Sequence, residues 1–111
     1  MNDADNNFQL KFDPPWEDIN EYPQDIGNTL SKELKRELHR KHPLYGIKVA
    51  LIGKRQDNDD ILVELEDGRV AVVHLTWKGR GESGPWPSTR IYQSKKDFWE
   101  KAMRLDIKDF E

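Results

Sequence analysis

The sequence predicts an α+β domain: a four- or five-stranded, mostly antiparallel sheet with two helices packed against it. Three observations carry this. Ile26, Leu30, Leu34 and Leu38 recur every four residues, the stripe of an amphipathic helix. Ile61, Val63 and Leu65, then Ala71, Val73 and Leu75, alternate with their neighbours at the period of strands. Asp67-Gly68 stands between those two runs, a hairpin signal that points to a type I′ turn. Helices flanking a run of antiparallel strands define the α+β class.

In chain order, residues 1–24 read as a partly ordered arm and 25–111 as the domain. In the arm Phe8, Leu10 and Phe12 alternate, Pro14-Pro15 should end regular structure, and Trp16 and Tyr22 are the residues to pin it to the body. The first helix is expected near 28–40, with Asn28 or Thr29 capping its start and Arg40 and Lys41 at its negative end. Pro43 should stop it, and Ser31, Lys32, Glu33, Lys35, Arg36 and Glu37 should form its wet face. Ile47, Val49 and Leu51 alternate in the next strand, and residues 56–60 are a polar connection. The third run, Arg69 to about Trp77, is apolar on both faces, which predicts a strand covered on both sides. Lys78 to Ser88, with three Gly and two Pro, reads as a loop. Thr89–Gln93 follows as a strand. Ser94 opens a second helix near 94–104, with Asp97 as its capping partner. Leu34 and Val73 are expected in the core.

The chain of 111 residues is the size of one domain. Apolar and charged residues each make up 35%, so the core must be compact, and eleven aromatics supply much of it. With no cysteine, disulfides and thiolate metal sites are excluded. The acidic, polar start predicts no secretory signal, and no apolar run is long enough to span a bilayer. The expected location is the cytoplasm. The net charge of −3 conceals blocks: −6 over residues 1–25, +6 over 26–56, −6 over 57–67, +5 over 68–96 and −2 over 97–111. The acidic blocks suit a basic partner.

The candidate chemistry is sparse. His39 and His42 are spaced for one metal ion but lack a third ligand, so no metal and no cofactor are expected. Asp57, Asp59 and Asp60 resemble a calcium loop, yet the positions that need glycine and glutamate hold Leu62 and Gly68. Gly79, Gly81 and Gly84 do not make a phosphate loop. His74 has no nucleophile motif beside it, so the expectation is a non-enzyme. The rival is a small hydrolase using His74 with Asp59 or Asp60. A nucleic-acid module using Lys32, Lys35, Arg36, Arg40 and Lys41 is a further rival, disfavoured by the acidic blocks. Trp86, between Pro85 and Pro87, suits an interface anchor.

His42-Pro43-Leu44 with Gly46, Asp59-Asp60, Asp67-Gly68-Arg69, the run Val72-Val73-His74-Leu75-Thr76-Trp77, Trp86-Pro87 and the aromatic last helix resemble a family of small bacterial proteins. The likeness covers about residues 34–100, is most specific in His-Leu-Thr-Trp, and leaves out the arm. Such proteins look like the immunity partners encoded with toxins of contact-dependent growth inhibition systems. The resemblance implies a cognate toxin as partner and implies no catalytic residue. Joined to the charge pattern, it predicts an immunity protein that is monomeric when free. It would cover the basic cleft of a nuclease, an RNase first, with Asp57, Asp59, Asp60, Glu64, Glu66 and Asp67, anchored by Trp86, touching neither nucleic acid nor membrane. The alternative is a non-catalytic housekeeping interaction domain.

Overall fold

A computed structural model describes residues 8–78 and 87–111. Five antiparallel strands stand in chain order across one open sheet: β1 (Trp16–Asp18), β2 (Val49–Arg55), β3 (Asp60–Leu65), β4 (Val70–His74) and β5 (Thr89–Tyr92). Helix α1 (Gln24–Glu37) connects β1 to β2. A continuous C-terminal helix, α2, runs through Lys95–Phe98, a π-helical turn at Trp99–Met103, and Arg104–Phe110.

The pleat assigns the sheet's two faces. Ile61, Val63 and Leu65 on β3, with Ala71 and Val73 on β4 and Leu75 just beyond it, point to α1 and pack with Leu30, Leu34 and Leu44. Leu62 and Val70 point the other way, to Trp16, Phe98 and Met103, with Leu10, Phe12 and Ile52 alongside. β3 and β4 are therefore covered on both sides, as the unbroken apolar run of β4 predicts. Leu34 is 3% and Val73 0% exposed. Replacing either with Ala is expected to lower stability by about 2–4 kcal/mol. Denaturant midpoints check this; a loss below about 1 kcal/mol at both sites would contradict the packing described.

Several boundaries differ from the sequence reading, each for a local reason. The arm contributes β1 directly after Pro14-Pro15, paired with β2 from Trp16↔Arg55 to Asp18↔Gly53. Trp16 is 2% exposed. β2 carries an irregularity between Leu51 and Gly53. A Cβ at Gly53 would lie 2.7 Å from the Phe12 ring, so only glycine lets the arm lie across the strand. α1 starts at Gln24 behind Pro23, and its N-cap makes no side-chain bond. Asn28 and Thr29 lie inside it, and the Thr29 hydroxyl donates back to the Asp25 carbonyl. It ends at Glu37, before Arg40, Lys41 and Pro43, because Leu38 turns extended and the chain must place His42 and Leu44 in the interior.

The β3–β4 hairpin is not type I′. Gly68 N–H donates to the Leu65 carbonyl, Leu65 N–H to that of Arg69, and only Gly68 has positive φ (92°). That is a type I turn followed by a left-handed glycine, the three-residue alternative. At α2 Ser94 caps the helix as expected, its Oγ accepting from Asp97 N–H at 3.0 Å, but the return bond of a capping box is shifted by one residue: Asp97 accepts from Gln93 N–H at 3.0 Å and not from Ser94 N–H.

Candidate functional site

The polar residues converge at the β2–β3 end of the sheet, on the face that α2 covers only in part. A cleft of about 400 Å³ lies there, between β4, β5 and α2. Asp60 and His74 are direct cross-strand partners, and His74 Nδ1 lies 2.7 Å from Asp60 Oδ1. A carboxylate only accepts, so Nδ1 carries the hydrogen, and no described residue bonds Nε2. Ser88 lies just ahead of β5; its carbonyl accepts from His74 N–H at 2.9 Å, and the residue lines the same cleft.

Arg55 organises the other wall. Its Nε and Nη2 grip Asp57 at 2.8 and 2.9 Å, and its Nη1 lies 3.3 Å from Asp106 on α2. Asp106 also accepts from the Trp16 indole at 3.0 Å, and the guanidinium lies over the Trp16 ring at 5.6 Å. The fork to Asp57 raises the Arg55 pKa, and the same hydrogen bonds hold the Asp57 carboxyl below its ordinary value.

The six acids expected to meet a partner are not one patch. Asp57, Asp59 and Asp60 gather at the β2–β3 turn, whereas Glu66 and Asp67 lie at the opposite end of β3. Six residues of strand, about 20 Å, separate Asp60 from Glu66. Glu64 sits between them on the α2 face and meets Lys95 at 3.4 Å. Asp67 bonds Arg69 at 2.8 Å, and the Arg69 backbone N–H, ahead of that side chain, holds its carboxyl below the ordinary value. Among the described residues, the carboxylates of Asp59 and Glu66 have no hydrogen bond or ion pair, and both are exposed. Trp86 and the glycines Gly79, Gly81 and Gly84 lie outside the described residues.

His42 is 5% exposed, and both its ring nitrogens are engaged. Nδ1 accepts from Leu44 N–H at 3.0 Å, so Nε2 is the donor, facing the Pro87 carbonyl at 3.0 Å and the Thr89 hydroxyl at 3.1 Å. It ties the connection after α1 to β5. Among the described residues no group of three His, Cys, Asp or Glu is placed to hold a metal. Of the five cations assigned to one helix for nucleic acid, Arg40 and Lys41 lie beyond its end, and Arg36 approaches Glu33 at 3.8 Å.

Sequence reasoning missed two acids altogether. Glu33 and Glu37, expected on the wet face of α1, are 4% and 0% exposed. The Glu37 carboxylate accepts from the backbone N–H groups of Thr76 and Trp77 at 2.7 and 2.8 Å. That grip turns the chain out of β4. Trp77, with φ 61°, is 47% exposed and does not continue the core face of Ala71 and Val73.

No described helix is long and apolar enough to cross a membrane. Compared with protein-family models, curated proteins and solved structures, the chain matches none of them.

Proposed function

We propose that this domain is an immunity protein: it binds and silences a cognate bacterial toxin, a nuclease, inside the cytoplasm, and performs no catalysis itself. The observation that carries the reading is the acid-rich end of the sheet. There Asp60 and Asp106 line the cleft with Arg55 and Arg90, Asp57 pairs with Arg55 at the adjoining turn, and Asp59 is exposed with its carboxylate uncommitted among the described residues. A nuclease presents Lys, Arg and His where its substrate's phosphates lie. Carboxylates held on a rigid hairpin can occupy those positions, steering association and blocking substrate together. The motif resemblance supports the same partner class. Because β3 separates the acids, the proposed contact surface is the β2–β3 turn with the adjoining cleft, and Glu66 and Asp67 lie outside it.

The test has two stages. Capture at low salt should return the product of a neighbouring toxin gene, and expression should protect cells from it. Asp59→Lys should then slow association roughly tenfold at low salt and flatten its salt dependence. With neither capture nor protection, a housekeeping interaction domain becomes the better reading. If binding occurs with an unchanged association rate, the contact surface is elsewhere.

One observation favours a second reading. The 2.7 Å Asp60–His74 pair, with Ser88 lining the same cleft, has the residue types of a small hydrolase. A turnover abolished by His74→Ala, with the fold intact, would replace the immunity reading with that one.

A further inference from the structure

A second cavity, of about 420 Å³, opens on the opposite face of the sheet, where α1 and the connection 38–48 do not close over β2 and β3. Its walls are mostly aliphatic, with Leu34 and Leu38 on one side, Val49 and Leu51 from β2 and Val63 from β3, and Tyr45 joins them from the connection. Among the described residues, the charged side chains lining it are Lys35 and Lys48. Both are exposed, and neither has a hydrogen bond or ion pair to a described residue. Among the described residues no carboxylate lines it. The cavity thus has the size and composition of a small-molecule site, apolar with a few polar groups that set orientation. Its charge is opposite to that of the acid-rich turn.

We propose that this cavity binds a small amphipathic anion: an alkyl body against the aliphatic walls, and one carboxylate at the mouth beside Lys35 and Lys48. A neutral alkyl ligand would leave the two ammonium groups without a counter-charge, and a cationic one would be repelled by them. The site is on the other side of the sheet from the proposed toxin surface and does not depend on it.

Methyl NMR titrations of the whole chain with decanoate, decan-1-ol and decyltrimethylammonium test it. Decanoate should give saturable shifts at Leu34, Val49, Leu51 and Val63, and should bind more tightly than the trimethylammonium analogue by about tenfold or more. The exposed double variant Lys35→Gln/Lys48→Gln should weaken decanoate about three- to tenfold and leave decanol unchanged. Ser31 also lines the cavity, so Ser31→Phe, filling it from α1, should abolish decanoate binding. Shifts that never saturate, equal affinity for the three head groups, or unchanged decanoate affinity in the double variant would overturn the proposal. Wild-type binding by a folded Ser31→Phe protein would do the same, since the ligand would then sit elsewhere.

Discussion

Phe98→Ala is expected to lower stability by about 3–5 kcal/mol. Phe98 has no exposed surface. Its ring meets Trp16 edge-on at 5.4 Å and 88°, and Tyr92 at 5.2 Å and 63°. Such pairs add about 0.5–1.5 kcal/mol each beyond the area they bury. Trp16 belongs to the edge strand β1, Tyr92 to the opposite edge β5, and Phe98 to α2. One ring therefore ties both margins of the sheet to the helix covering it. Domains of this size are stable by only about 5–15 kcal/mol, so the variant should be close to unfolding at ambient temperature. Urea denaturation followed by tryptophan fluorescence measures the loss. Phe98→Leu, which keeps most of the volume, should cost less. The cleft offers a second readout, because Trp16 and Asp106 meet across this packing; the indole N–H resonance of Trp16 should move in either variant. A loss below about 1 kcal/mol in Phe98→Ala would mean that α2 is held by other contacts.

What the sequence revealed follows from the range of each signal. Alternation in β3 and β4, the Ser94 cap on Asp97 and the glycine after Asp67 are local, and each is found in the fold. The inward face of α1 is a tertiary matter. The four-residue row Ile26, Leu30, Leu34, Leu38 drifts around the helix axis, since four residues exceed one turn of 3.6. Ile26 ends 37% exposed, and Leu38 lies past the last helical residue. The buried positions are Leu30, Glu33, Leu34 and Glu37, which is the i, i+3, i+4, i+7 face of a helix. Two of these are acids, and nothing near them in sequence marks them as interior. The donors that satisfy Glu37 lie 39 and 40 residues away. The cleft was opaque for the same reason. Asp60 and His74 were legible as neighbours across a hairpin, but the Trp16–Asp106 bond joins residues 90 apart. The acids of residues 57–67 were visible as a run. Only strand geometry shows that the run is a line with two ends.

Glu37 yields the second large effect. Its carboxylate is wholly buried and accepts two backbone N–H bonds at the point where the chain leaves β4. Removing it in Glu37→Ala leaves both donors without their acceptor and deletes a fully buried side chain. Unsatisfied buried groups cost about 1–3 kcal/mol each, so a total loss of about 3–5 kcal/mol is expected. Glu37→Gln retains one acceptor oxygen but turns an amide donor toward a backbone donor, for an expected loss of about 1–3 kcal/mol. Burial pushes the Glu37 pKa up, but hydrogen bonds with Glu33 and with the Thr76 and Trp77 amides outweigh it, leaving the carboxyl below its ordinary value. A depressed folded pKa means that the ionised form contributes stability above the unfolded value, about 4.3. The contribution is lost as pH falls through the folded value. The stability gap between the wild type and Glu37→Gln should therefore hold steady near neutrality and narrow below about pH 4. Denaturant midpoints for both proteins from pH 7 to pH 3 would show it. A gap that stays constant to pH 3, or a Gln variant as stable as the wild type at pH 7, would mean that the ionised carboxylate is not what turns the chain at Thr76.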